Sequence, residues 1–209
     1  MEARAQEIKS RSDKNIKISV IPGHFATNHS HVNYYIDITS VKTNHKMAMA
    51  AADSLAETYQ KTDIDTIVCL EGMEVLGAFL AMALSEGGVN SGKTIYVITP
   101  EFNSNNQMIF RDNIQKKIWG KKILLLLSSV STGKTISRSL DCFRYYNGNV
   151  AAITAIFSAI EEFKGTGIHA LFVPSDLAGY KTATTDSCAL CRDGVKVDAL
   201  VNTYGYSKI

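Results

Sequence analysis

At 209 residues, 45% apolar and 20% charged, the chain is long enough for one full hydrophobic core and has an ordinary globular composition. Its net charge of +2 is too small to point to nucleic-acid or membrane-surface binding, and no apolar run approaches membrane-spanning length. The polar start MEARAQEIKSRSDK lacks the apolar segment of a signal peptide, and four cysteines do not make a disulfide scaffold in this much chain, so a cytoplasmic protein is expected.

Residues 1–13 are polar and read as a short helix or a loose end. From Ile16 to Ile21 apolar and polar residues alternate, as in a half-exposed strand, and Pro22-Gly23 is read as a turn. The stretch His24 to His31 is irregular, and Tyr34 to Ile38 reads as a second strand. Ala48, Ala51, Ala52, Leu55 and Tyr59 fall on one face of a helix spanning about 44–59. Asp63 to Leu70 is a buried strand, and Glu71-Gly72-Met73-Glu74 a tight loop. Val75 to Leu84 is an apolar helix ended by Gly87-Gly88, and Thr94 to Ile98 another strand. Pro100 to Gly120 is polar, Asn-rich and without periodicity; a long segment of this kind is usually functional or mobile.

The stretch Lys121 to Leu140, KKILLLLSSVSTGKTISRSL, organises the rest. Ile123 to Leu127 is apolar without a break, which suits a strand buried on both faces of a parallel sheet. Small and hydroxylated residues follow, and then Ile136, Leu140 and Phe143 recur at helical spacing. Strand, small-residue loop and helix together make an anion site, because the first N–H groups of a helix point outward unsatisfied and the dipole favours negative charge there. Gly133 allows close backbone approach, and Ser131, Thr132 and Thr135 offer hydroxyl donors. After a helix closed by Asn147-Gly148, Val150 to Phe157 is the next strand and Ala170 to Val173 a further one. The repeating βαβ order predicts an α/β fold with an open, mostly parallel sheet, helices on both faces and right-handed crossovers.

Two families use such a loop. Gly133-Lys134-Thr135 fits the second half of the P-loop pattern GxxxxGK[ST], whose first glycine would fall at Ser128. The strand Val150 to Phe157 ends in Ser158, not in the acid that P-loop proteins place on Mg²⁺. Taken with the rest of the chain, Ser128 to Thr135 resembles instead the loop of the type I phosphoribosyltransferases, roughly DDxxTxxT, with both acids replaced by serine. Gly23, Phe25, Tyr34, Tyr35 and Asp37 match the hood segment of that family, most like its orotate members. Glu71 to Glu74 matches its pyrophosphate turn, and Pro100 to Gly120 its mobile loop.

The resemblance implies one domain over residues 1–209, with a core of about 44–164 and a hood from about 1–43 and 165–209. It implies binding of 5-phosphoribosyl 1-pyrophosphate with Mg²⁺, and transfer of phosphoribosyl to a nucleobase such as orotate with release of pyrophosphate. The phosphate would lie on Ser128, Ser129, Val130, Ser131, Thr132, Gly133, Lys134 and Thr135, and pyrophosphate with Mg²⁺ on Glu71, Gly72, Met73 and Glu74. Tyr34, Tyr35 and Asn28 would meet the base, although in a strand only one of two adjacent tyrosines faces inward. Arg111, Lys116 and Lys117 would close over the leaving group, and a homodimer is implied. Besides the serines, two places depart from the family: Thr99-Pro100-Glu101 stands where it has Arg-Lys, and Asn28 where it has a basic residue. A binder on the same fold that has lost turnover is the alternative.

Two further groups carry possible chemistry. His24, His29, His31 and His45 lie in polar sequence without HxxxH spacing and read as surface histidines. Cys188 and Cys191 form a lone CxxC, open to a zinc site, a redox pair or two unlinked thiols, since zinc needs four ligands and no second pair exists.

Overall fold

The computed structural model describes residues 1–105 and 107–209. In chain order its elements are β1 (Gln6–Lys9), β2 (Lys17–Ala26), β3 (His31–Asp37), α1 (Thr39–Thr43), α2 (His45–Thr58), β4 (Thr66–Cys69), α3 (Glu74–Glu86) and β5 (Tyr96–Ile98). There follow the short β6 (Glu101–Phe102) and β7 (Met108–Ile109), α4 (Asp112–Gln115), β8 (Lys122–Val130), α5 (Lys134–Tyr145), β9 (Asn149–Ser158), β10 (Glu162–Phe163) and β11 (Thr166–Phe172). The chain ends with β12 (Thr182–Ala183), α6 (Ala189–Arg192), β13 (Ala199–Asn202) and β14 (Gly205–Lys208). No helix among the described residues is long and apolar enough to cross a membrane.

The unbroken apolar run becomes the centre of the main sheet. Strands β5, β4, β8, β9 and β11 lie side by side and parallel, with β10 antiparallel at the edge. Both faces of β8 are covered. Leu124 and Leu126 join Leu55, Leu76 and Leu80 of α2 and α3 in one core, while Ile123, Leu125 and Leu127 join Ile136 and Phe143 of α5 in the other. All five strand residues are fully buried, each burial stabilising by roughly 1.5–3 kcal/mol. The chain lays down β4 first, adds β5 on one side, and then adds β8, β9 and β11 on the other. The order therefore reverses between β4 and β8, and at such a switch point the loops part and leave a crevice at the carboxyl ends of the strands.

A second sheet, ordered β12-β3-β2-β13-β14 with β1 also paired to β2, combines the two ends of the chain. It packs on the core through Ile16, Ile18 and Val20 and through Tyr180, whose ring centroid is 5.1 Å from that of Phe157. Here the structure corrects several expectations. Residues 6–9 are neither helix nor loose end but a strand antiparallel to β2. Pro22-Gly23 does not turn the chain; β2 runs through it, with a register shift between Pro22 and Phe25, and a bulge is a place where a strand tolerates proline. The helix expected over 44–59 begins a turn early as α1, then restarts at α2, where the Asn44 side chain accepts from the N–H groups of Lys46 and Met47. The segment after Pro100 forms the β6–β7 hairpin and α4, anchored by buried Phe110 and Ile118.

Candidate functional site at the carboxyl ends of the parallel strands

The crevice is built from the ends of β4 and β8. The Leu70 N–H donates to the Leu126 carbonyl at 2.9 Å, and the chain then turns sharply, with φ of 61° at Glu71 and 78° at Gly72. A left-handed backbone at a residue with a Cβ costs roughly 1–2 kcal/mol. What the conformation achieves is visible next door. Glu71 Oε2 accepts from the Ser128 N–H at 3.2 Å and from the Ser128 hydroxyl as well. The carboxylate thus takes over where the β4–β8 pairing ends. Ser128 is buried and belongs to β8, as does exposed Ser129; the serines expected in the loop extend the strand.

Beyond Val130 comes the turn into α5. Gly133 adopts φ 75°, and a Cβ there would lie 2.5 Å and 2.7 Å from atoms of the Phe163 ring, so glycine is required both by conformation and by space. No side chain caps α5, leaving its first N–H groups to face outward with the positive end of the dipole. Around them Thr132, Lys134 and Arg138 are exposed, and Ser131 and Thr135 half-buried. Val130 is buried in the core beneath α5, and Met73 in the other core, so only their backbone groups can meet a ligand.

The other wall holds acids and a cation. Glu74, first residue of α3, accepts from the Thr99 hydroxyl at 3.1 Å. Lys42 lies over the Glu71–Gly72 turn: a Cβ on Gly72 would be 4.0 Å from its Nζ, which donates to the Thr203 carbonyl of the β13–β14 hairpin at 2.9 Å. Burial pulls the Lys42 ammonium below its ordinary range, against the nearby charges of Glu71, Glu74 and Asp37, which hold it up. Sequence reasoning missed Lys42. Nothing in its neighbourhood SVKTN marks it, since its role comes from α1 passing over a turn that lies well down the chain.

The remaining expected site residues are scattered. Tyr35 is the inward tyrosine, packed edge-on against Tyr206 at 5.2 Å; burial first, then Asp37 and Tyr206, push its phenol up to about 12. Tyr34 is half-buried and donates to the Ala178 carbonyl at 3.0 Å. Asn28 is exposed at the tip of the β2–β3 hairpin. Arg111 is held within its own segment by Glu101, at 2.9 Å and 2.7 Å. Lys117 lies at the opposite end of the sheet from the crevice: its carbonyl accepts from the hydroxyl of Thr66, the first residue of β4, at 2.6 Å, and its ammonium lies 3.8 Å from the centroid of the Tyr96 ring. Exposed Lys116 precedes it. In this conformation the two lysines do not join Glu71 and Ser128.

The reading of the histidines needs correction. His29 and His45 are exposed, but His24 is buried, and the ligand atoms of His24, His31, Cys188 and Cys191 all lie within 4.8 Å of one another. The β2–β3 hairpin thus sets two imidazoles, groups able to ligate a metal, beside the lone CxxC.

No family profile matches the chain. It is 27% identical to the adenine phosphoribosyltransferase of Halothermothrix orenii over 136 residues, which cover 60% of this chain and 77% of that one. It is 26% identical to the orotate phosphoribosyltransferase of Pyrococcus horikoshii over 144 residues, covering 68% and 74%. Among solved structures, the orotate phosphoribosyltransferase of Mycobacterium tuberculosis H37Rv in complex with 5-phospho-α-D-ribosyl 1-diphosphate superposes with a TM-score of 0.52 at 13% identity, over 69% of this chain and 83% of that one. The structural likeness shows the fold and removes the P-loop reading. In sequence and in fold the chain is thus similar to the type I phosphoribosyltransferases, to adenine and orotate members alike.

Proposed function

We propose that this chain binds 5-phosphoribosyl 1-pyrophosphate in the crevice between β4 and β8 and transfers its phosphoribosyl group to a nitrogen of a nucleobase, releasing pyrophosphate. The observation that carries this reading is the Glu71–Ser128 contact at the switch point, beside the uncapped amino end of α5. The 5′-phosphate takes the N–H groups of the first turn of α5 and the hydroxyls of Ser131, Thr132 and Thr135, with Lys134 beside them. The Glu71–Glu74 turn, with Lys42 above it, faces the pyrophosphate.

Such a transfer requires no general base. A good leaving group, held in position and electrostatically supported, is sufficient. Ser128 and Ser129 carry no charge where the family has its acidic pair, but Glu71 sets a carboxylate against the Ser128 hydroxyl, which returns negative charge to that place. Glu71 Oε1 and Glu74 Oε2 are outside the hydrogen bonds described above, and hard carboxylate oxygens suit Mg²⁺; these two residues would hold it, and when bound it neutralises charge on the leaving group. Half-buried Tyr34 offers its ring to the base, and Arg111 the lid charge. Orotate is the acceptor proposed first and adenine second, and the working assembly is a homodimer.

The alternative is a binder without turnover, favoured by the uncharged serine pair. Calorimetric titration with phosphoribosyl pyrophosphate, with and without Mg²⁺ and against ATP, tests the site. Pyrophosphate release with orotate or adenine then separates the readings. Mg²⁺-dependent binding with release supports the enzyme, and binding without release the binder. Failure to bind at millimolar ligand defeats both.

A further inference from the structure

We propose that the hood carries a structural zinc site made by His24, His31, Cys188 and Cys191. The Nε2 of His24 lies 2.9 Å from His31 Nδ1, 3.6 Å from Cys188 Sγ and 3.6 Å from Cys191 Sγ, and Cys191 Sγ lies 3.2 Å from His31 Nδ1. Zinc bonds of about 2.3 Å to sulfur and about 2.0–2.1 Å to nitrogen, in a tetrahedron, set ligand atoms roughly 3.3–3.8 Å apart. These four separations lie within about half an ångström of that range, and the remaining pairs of ligand atoms lie within 4.8 Å, so small side-chain adjustments admit the ion. The cysteines are not joined to one another, and a disulfide would leave the convergence of two imidazole nitrogens unexplained.

The surroundings fit a metal site too. His24 Nδ1 lies 2.8 Å from the Val195 carbonyl. A carbonyl only accepts, so the proton sits on Nδ1 and the Nε2 lone pair faces the cluster, the arrangement in which an outer hydrogen bond orients a metal-bound imidazole. His24 and Cys188 are 1% and 4% exposed, so half of the ligand set is withdrawn from water. Four protein ligands leave no open position, which marks a structural rather than a catalytic zinc. Binding displaces the two thiol protons and changes no oxidation state.

The placement gives the ion a purpose. His24 lies in β2 and His31 begins β3, while Cys188 and Cys191 flank the start of α6. The ion ties the amino-terminal hairpin to the carboxyl-terminal segment across most of the chain. The hood's own core is small, with Ile21, Phe25, Val32, Tyr35, Ala199 and Val201 as its buried members, and small cores are the ones that metals staple.

The test is elemental analysis of the untagged full chain, purified under reducing conditions from zinc-supplemented cells, followed by exchange with Co²⁺. The expected result is one zinc per chain. The cobalt form should show a thiolate-to-metal charge-transfer band and the d–d absorption of a tetrahedral site. Cys191→Ser and His31→Ala should each lose that spectrum, Cys142→Ser should keep it, and chelation should lower the melting temperature. Folded, reduced wild-type protein that holds less than a tenth of an equivalent of zinc and gives no cobalt–thiolate band overturns the proposal. This readout uses the unaltered chain, so misfolding of a variant cannot rescue or sink it.

Discussion

Glu71 accepts from both the N–H and the hydroxyl of Ser128, from the end of one parallel strand to the end of its neighbour. This changes the meaning of the serine pair. Putting an acid at this place, by Ser128→Asp, would set two carboxylates in contact at a buried position. We expect Ser128→Asp to destabilise the fold by about 1–3 kcal/mol, the cost of like charge and a lost buried hydrogen bond. Glu71→Gln in the same chain should recover most of that loss, and chemical denaturation of the two single variants and the double variant measures the coupling. A Ser128→Asp protein as stable as wild type would mean that the contact contributes nothing.

The main sheet was readable because burial on both faces writes itself as an unbroken apolar run, as at Ile123 to Leu127. The amino end of α5 was readable because a run of small and hydroxylated residues between an apolar strand and a helical pattern is a local signal. What was not readable is non-local. Serines signal turns, yet Ser129 and Val130 pair with Phe157 and Ser158, and that pairing carries β8 past the expected loop boundary. His24 and Cys188 lie far apart in sequence, so only the hood's topology reveals their contact. The segment after Pro100 is held by isolated anchors, Phe110 and Ile118, and two anchors make no periodicity.

Lys42 bridges the Glu71–Gly72 turn and the Thr203 carbonyl. Lys42→Met keeps the packed stem and removes the charge. Its loss should weaken phosphoribosyl pyrophosphate binding about tenfold or more, since a charge-assisted contact is worth at least ~1.4 kcal/mol, while the melting temperature moves little. Unchanged affinity in the calorimeter would reduce Lys42 to a prop for the β13–β14 hairpin.

Lys117 and Arg111 should separate cleanly. Lys117 stacks on Tyr96 away from the crevice, so Lys117→Ala should cost about 0.5–1 kcal/mol of stability and leave ligand affinity unchanged. Arg111 is paired with Glu101, and a lid cation acts only on closure. Arg111→Ala should therefore lower turnover more than binding, and Glu101→Gln, which frees Arg111, should not. Equal loss of binding and turnover in Arg111→Ala would argue against a closing role.

At the amino-terminal edge of the sheet Asp63 bonds the ammonium groups of Lys122 and Lys93, which pull its carboxyl down to about 2. The folded value lies below the unfolded one of about 3.9, so the contribution is fully present above the unfolded value and is lost as pH falls through the folded one. Asp63→Asn should melt below wild type at neutral pH, with the gap closing as pH falls from about 5 toward about 2. A gap independent of pH would show that the charge is not what matters.

Gly133 meets two constraints, a φ of 75° and the Phe163 ring where a Cβ would go. Gly133→Ala should cost about 1 kcal/mol for the backbone and a further 1–3 kcal/mol for the overlap. Phe163→Ala in the same chain removes the overlap but not the backbone strain. The double variant should therefore be more stable than the sum of the single losses predicts, by the size of the steric part. Because the strained residue also fixes where the first N–H groups of α5 point, phosphate affinity should fall in Gly133→Ala and stay low in the double variant if backbone direction governs the site. Recovery of affinity together with stability would mean that the Phe163 contact alone had displaced the loop.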